Sequence, residues 1–450
     1  MEHVLLVDYG STYTKVTAVN LTEAALLGTA SAFSTVETDV SDGFNAALDE
    51  LTAQIGKISV HKTLAASSAA GGLRMVAVGL VPELTARAAT TASMGAGAKV
   101  VGAYSFELTE DDVSEIIGLS PDILLLTGGT DGGNKKCILH NAKMLSEVQC
   151  NFPIVVAGNR NCSGDIRGIL SGHVAYFCEN VMPAIGVLNI EPVRQLIREI
   201  FLDRIVFAKG LKGVLMPTPS AVLTAAELLS RGYEGVPGLG CLLLVDVGGA
   251  TTDVYSTGSG VPSGADVVLR GLPEPWAKRT VEGDIGMRYS AAGIVEAKGA
   301  MRVSELSGVD ESDVFSRVDY LFHNPSCLAQ SDSDSQLDFA LAALAIEVAS
   351  LRHAGCIEEV YTAAGRTYVQ FGKDLTETKS LILTGGALIH SEKQIELSKF
   401  ALYSDSFPES LRPRKADLLI DNEYILAAMG LLSTHAPGAA LKLMLEYLTS

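Results

Sequence analysis

One pattern occurs twice in this chain and constrains its fold more than any other feature. Val4-Leu-Leu-Val-Asp8-Tyr9-Gly10-Ser11-Thr12-Tyr13-Thr14-Lys15 returns in type as Leu242-Leu-Leu-Val-Asp246-Val-Gly248-Gly249-Ala250-Thr251-Thr252-Asp253. Asp8 and Asp246 lie 238 positions apart, and the same offset pairs Gly10 with Gly248 and Thr14 with Thr252. Internal repetition points to a duplicated architecture. Four apolar residues in a row predict a strand buried on both faces. Each run ends in a carboxylate and glycine, and a hydroxyl-rich strand follows at once. Each copy therefore reads as a β-hairpin.

The turn chemistry is that of a phosphate site. Glycine permits the tight turn and lets backbone N–H groups approach an anion. Ser11, Thr12, Tyr13, Thr14 and Lys15 in one copy, and Gly248, Gly249, Ala250, Thr251 and Thr252 in the other, add donors around it. A carboxylate beside a phosphate repels it unless a cation lies between them. Asp8 and Asp246 therefore imply Mg²⁺, held through water. An ordinary pair of hairpins with Asp-x-Gly turns would account for one such pattern; its recurrence favours a polyphosphate clamp.

The pair resembles the two phosphate loops of the superfamily that contains actin, sugar kinases and heat-shock ATPases. That resemblance implies two duplicated α/β domains of the ribonuclease H-like type around an ATP cleft. It also implies an adenosine loop late in the chain, which Leu381-Ile-Leu-Thr384-Gly385-Gly386-Ala387 resembles. A hinge helix follows in the superfamily, and Asp421–Gly430 is similar. Heat-shock relatives carry Glu-Pro-Thr before the second phosphate loop, and actins a Gln, to orient the attacking water. Here Met216 takes that place, so Asp253 becomes the candidate for water activation, beside Asp8 and Asp246 as catalytic carboxylates. Slow hydrolysis is expected.

Length and charge set further bounds. A chain of 450 residues calls for two or three domains. A net charge of −18 argues against nucleic acid or an anionic membrane as partner. No basic stretch precedes the first strand and no run reaches membrane-spanning length, so neither a signal peptide nor a span is expected. Seven cysteines without a C-x-x-C suit a reducing cytoplasm and argue against a disulfide scaffold or zinc site.

Along the chain, strands are predicted at Val4–Tyr9, Tyr13–Asn20, Ala25–Phe33 and Lys62–Ser68, with a helix over Asp42–Ile55. Ser67-Ser-Ala-Ala-Gly71-Gly72 is either a linker or a third phosphate-side loop. From Met75 to Phe177 strands and helices alternate, which predicts a Rossmann-like, doubly wound parallel sheet. Within it Pro82–Ala96 is predicted as one helix. This segment resembles a cobalamin-binding domain in rhythm, yet lacks the Asp-x-His-x-x-Gly whose His ligates cobalt. Gly128-Gly-Thr-Asp-Gly-Gly133 is either a ligand edge of that sheet or the counterpart of Thr384-Gly385-Gly386. Later, a long helix is expected after Arg288, a solvated loop over Ser326–Ser335 and a helix over Leu337–Leu351. The expected division is residues 1–72 with 179–215, an inserted segment 73–178, and 216–450.

Whole phrases resemble a narrower family, the accessory proteins of coenzyme B12-dependent glutamate (methylaspartate) mutase. They include Ser67-Ser-Ala-Ala-Gly-Gly-Leu-Arg74, Glu179-Asn-Val-Met-Pro183, Met216-Pro-Thr-Pro219 and Thr280-Val-Glu-Gly-Asp284. The family implies an ATP-dependent chaperone that frees damaged cobalamin from mutase subunits. A small-molecule kinase, an ATP-binding module without hydrolysis and a filament former remain alternatives.

Overall fold

The computed structural model describes residues 2–10, 12–34, 40–68, 73–206, 213–262, 264, 266–362 and 365–448. The chain divides into two compact units. One comprises Met1–Ala221 with Gly271–Pro273, the other Val222–Arg270 with Glu274–Ser450.

In the first unit the repeat forms β1 (His3–Tyr9) and β2 (Tyr13–Asn20), and β3 (Ala25–Phe33) completes an antiparallel meander. Val4 to Tyr9 are all buried, as an apolar run between two covered faces requires. The helix Val40–Ile55 covers one face, and β4 (Val60–Ser67) joins β1 in parallel.

The chain then builds a separate sheet from β5 (Leu73–Gly79), β6 (Ala98–Ser105), β7 (Ile123–Leu126), β8 (Ile154–Val156) and β9 (Ala175–Phe177). All pairings are parallel, in the order β6-β5-β7-β8-β9. Alternate residues divide between two apolar layers. Met75, Ala77, Ile123, Leu125 and Val155 pack on one side, and Val76, Val78, Leu124, Leu126 and Ile154 on the other. Both faces are thus covered, the condition under which parallel sheets occur. After this sheet β10 (Val214–Pro217) returns to pair with β4, giving the order β10-β4-β1-β2-β3.

The second unit opens with a two-stranded ribbon, β11 (Gly232–Tyr233) and β12 (Val236–Pro237). Its repeat copy forms β13 (Leu242–Val247) and β14 (Thr252–Thr257). After β15 (Val267–Arg270), β16 (Ala277–Glu282) extends the meander. The strands β17 (Cys356–Thr362) and β18 (Gly365–Phe371) join β15 in a three-stranded sheet. Then β19 (Ser380–Thr384) and β20 (Asp417–Ile420) lie parallel beside β13, giving β16-β14-β13-β19-β20. This sheet has the strand order and senses of the first unit's mixed sheet: three antiparallel strands, then two parallel ones.

Three helix expectations are corrected. Pro82–Ala96 is not one α-helix: Pro82–Ala86 is a π-helical turn before the α-helix Arg87–Gly95. Thr85 Oγ1 accepts from the Leu80 and Val81 N–H groups at 2.6 and 3.0 Å, tying down the first turn. The long helix after Arg288 is two, Ala291–Lys298 and Ala300–Ser307, parted at Gly299 with φ +85°. The loop Ser326–Ser335 ends early, because Ser331 caps a helix running Asp332–His353. Among the described residues no helix is long and apolar enough to cross a membrane.

Candidate functional site

At the first hairpin, Asp8 faces Lys15 and Tyr9 faces Thr14 across the β1–β2 ladder. The turn demands glycine: a Cβ on Gly10 would sit 2.3 Å from the Tyr13 carbonyl oxygen. Ser34 fixes the turn from outside, its hydroxyl donating to the Gly10 carbonyl and its N–H to that of Thr12, both at 2.8 Å. Thr14 is fully buried and shares a 3.0 Å hydroxyl bond with Ser34, while Tyr13 is exposed against Phe33. Thr12 is half-buried at the turn. Ser11 lies outside the described residues, as do Gly71 and Gly72 of the junction after Ser68.

Asp8 is 7% exposed. Thr218 Oγ1 donates to its Oδ1 at 2.5 Å from the start of the helix Thr218–Arg231. Burial pushes the Asp8 carboxyl above its ordinary range, against the pull of the Lys15 charge and the Thr218 bond. Sequence reasoning stopped at Met216, which is buried on β10, and missed Thr218 two residues on. The signal was present in Met216-Pro-Thr218, a hydroxyl at a helix start after proline.

At the second hairpin the ladder sets Asp246 opposite Asp253. The repeat thus exchanges Lys15 for a second carboxylate. The chain compensates from β16, where the Arg279 guanidinium lies 2.6 Å from Asp253 Oδ1 and is itself buried. Thr251 Oγ1 donates to Asp253 Oδ2 at 3.3 Å, so both carboxylate oxygens carry partners. Tyr255, one ladder step along, is buried beside them, and burial with the Asp253 charge lifts its hydroxyl well above the usual range. Arg279 went unrecognised because only the β14–β16 register brings it to Asp253.

The residues after β16 brace this turn. Met287, Arg288 and Tyr289 N–H groups donate to the Gly248 and Gly249 carbonyls at 2.8–3.0 Å, and Gly248 N–H closes on Thr251. Gly286 lies flat on Ala250: a Cβ there would meet its carbonyl carbon at 2.4 Å. Thr252 is fully buried and gives its hydroxyl to the Ile285 carbonyl at 3.0 Å.

The third loop joins the second hairpin within the same unit. Ladder pairing sets Thr384 beside Asp246, and a Cβ on Gly385 would fall 2.4 Å from the Val247 oxygen. Gly385 has φ +101°, and Gly386 and Ala387 begin a short helix. Thr384 Oγ1 donates to Asp421 Oδ2 at 3.1 Å. Asp421 also accepts from the Ile425 and Leu426 N–H groups, capping the helix Leu426–Ser433. The Gly128–Gly133 loop belongs elsewhere. It follows β7 of the parallel sheet, whereas the strand equivalent to β19 is β4, so topology removes it as the counterpart of Thr384-Gly385-Gly386.

Chemically, the first hairpin offers one carboxylate offset by Lys15. The second offers two offset by Arg279. Among the described residues no group of three or more His, Cys, Asp or Glu side chains is arranged to hold a metal. That donor set fits Mg²⁺ all the same, because Mg²⁺ keeps its waters and takes one or two carboxylates plus phosphate oxygens.

What the fold and these turns define is an α/β chain with two five-stranded mixed sheets, each carrying an Asp-x-Gly hairpin at its centre. A family model described as MutL protein matches residues 4–448. Protein MutL of Clostridium tetanomorphum is 46% identical over 459 positions, covering 100% of this chain and 99% of that protein. The chain belongs to the MutL protein family. Among solved structures, nucleotide-free acetone carboxylase is similar at 14% identity, with 96% of this chain and 70% of that one covered and a TM-score of 0.44. The activator of 2-hydroxyisocaproyl-CoA dehydratase from Clostridium difficile, with bound ADPNP, is similar at 10% identity. There 99% of this chain and 97% of that one are covered, with a TM-score of 0.33.

Proposed function

We propose that this chain is an ATP-binding accessory protein that reactivates a coenzyme B12-dependent mutase of the glutamate (methylaspartate) class in the cytoplasm. The recurrence of the Asp-x-Gly hairpin, on sheets of the same strand order, carries the reading. Membership of the MutL family supports the choice of client. We assign the nucleotide phosphates to the turn donors at Gly10–Lys15 and Gly248–Thr252, and the base to Gly385–Ala387. Mg²⁺, where bound, screens phosphate charge beside Asp8 and Asp246. We further assign residues 1–72 with 179–215 and residues 216–450 to two actin-like halves, and residues 73–178 to an inserted segment that imitates a cobalamin carrier. Nucleotide turnover shifts affinity for the mutase only by its differential affinity for the two states of the protein.

A second reading, binding without hydrolysis, is favoured by two observations. Met216 is buried and apolar where a water-orienting group would stand, and both Asp253 oxygens are engaged.

The test is recovery of a mutase inactivated by hydroxocobalamin, with free adenosylcobalamin present. Recovery that requires both ATP and Mg²⁺ is the expected result. ATP consumption without recovery would move the reading to a kinase or a different client. Recovery with a non-hydrolysable analogue would select the second reading. Deleting residues 73–178 is expected to abolish mutase binding; unaltered binding would remove the imitation.

A further inference from the structure

Thr218 has no use in the reading above. It stands at the start of a 14-residue helix, only half-buried, with its hydroxyl on a carboxylate from the first hairpin. A nucleophile and a base within hydrogen-bond reach are the working parts of covalent catalysis. The two are joined across 210 residues of sequence, so local turn chemistry does not account for the contact.

We infer that Thr218 is a phosphoryl acceptor: bound ATP transfers its γ-phosphoryl group to Thr218 Oγ1, with Asp8 taking the hydroxyl proton. This rests on nucleotide binding at the first hairpin. Oγ1 forms the new bond to the γ-phosphorus. The bond from that phosphorus to the β–γ bridging oxygen breaks, and its electron pair leaves with ADP. The Oγ1 proton passes to the Asp8 carboxylate and then to solvent. The products are phosphothreonine, ADP and a proton, and nothing further is consumed.

Three observations support it. Thr218 donates to Asp8 in the ground state, so the proton already points at its acceptor. Lys15 stands opposite Asp8 on the ladder and supplies positive charge beside the position a phosphate would take. Finally, the neighbouring position that would orient water carries the buried thioether of Met216, which can neither take a proton nor direct a nucleophile. The product suits a helix N-terminus, where the helix dipole favours negative charge. It also ends the Thr218–Asp8 bond, so the modified chain differs from the unmodified one at the first hairpin.

The experiment incubates the full chain with γ-labelled ATP and Mg²⁺, maps the label by digestion and mass spectrometry, and measures ATP binding by calorimetry in parallel. Label on Thr218, at a first-order rate unchanged by about tenfold dilution, is expected. Thr218→Ser should carry phosphoserine, which guards against a folding artefact, and Thr218→Val should carry no label. Asp8→Asn should slow labelling by about 100-fold or more, the scale of general-base catalysis. ATP binding without phosphate on Thr218, Thr218→Val labelling as the wild type does, or a rate that falls on dilution would each overturn the inference while leaving nucleotide binding intact. No ATP binding at all would overturn both.

Discussion

Opposite its turn carboxylate the first hairpin carries Lys15, and at the same register the second carries Asp253. One backbone plan has been given two electrostatic solutions. In the first hairpin the balancing cation lies on the hairpin itself, and a hydroxyl from Thr218 completes the carboxylate's environment. In the second the cation comes from the next strand, β16, where Arg279 is buried and its strand neighbours are half-buried. The layers beneath differ as well. Ala18 in the first hairpin corresponds to Ser256 in the second, and Ser256 meets two buried basic groups. Its hydroxyl bonds His353 Nε2 at 2.8 Å, and its carbonyl accepts from Lys373 Nζ at 3.3 Å. The difference teaches that the repeat preserves turn geometry while each copy settles its charges with its own unit.

Removing Arg279 should give the largest effect. Arg279→Met leaves the half-buried Asp253 without its cation, at a cost of about 3 kcal/mol, read by denaturant unfolding. Adding Asp253→Asn should recover part of that loss; a double variant no better than the single one would refute the pairing. At the first hairpin Lys15→Met should cost far less, about 1 kcal/mol, since Lys15 is half-buried. Equal losses at the two sites would erase the contrast.

The next prediction concerns pH. Burial, helped by the Lys278 charge, lowers Lys373 from 10.5 to about 7, although Nζ donates to the Pro275 and Trp276 carbonyls at 2.9 and 2.7 Å. Between pH 7 and 10.5 the unfolded chain holds a proton that the folded one has released. Stability therefore rises with pH across that window, by at most roughly 1.4 kcal/mol per unit for one proton. Lys373→Met should flatten this slope. His353 acts at lower pH: burial, then the Lys278 and Lys373 charges, push it well below 6.5. Its contribution is intact above 6.5 and declines as the pH falls below it, since only the unfolded chain takes up the proton. The smallest effect is expected from Thr251→Ala, whose hydroxyl reaches Asp253 at 3.3 Å; the loss should stay under about 1 kcal/mol.

Local signals carried much of the architecture. The apolar runs ending in Asp-x-Gly gave the hairpins, because burial and turn chemistry both lie within a dozen residues. Thr109 with three acids after it marked a helix start, and the structure has a capping box between Thr109 and Asp112. Features that depend on distant partners were not legible. The Arg279–Asp253 pair is set by strand register, and Thr218 meets Asp8 only when β10 joins the first mixed sheet beside β4. The π-helical turn at Pro82 follows from Thr85 reaching back to two N–H groups, which composition does not disclose. Ser331–Ser335 looked like a loop because Ser and Asp favour both turns and helix caps.

The place of the parallel sheet in the chain has a consequence in time. The β4 edge closes through Val214 opposite Ala65, Met216 opposite Ala66 and Pro217 opposite Ser67. A ribosome adding roughly 5–20 residues per second makes β4 roughly 7–30 s before β10. Throughout that interval the nascent first sheet presents an open edge, the kind of surface that recruits foreign strands. The five parallel strands made meanwhile pair only with one another, so their ladder can form while the edge waits, although one face shares its core with β1 and β2. A ribosome pause between residues 68 and 213 would prolong the exposure, and a chaperone that shields strand edges would be needed most then.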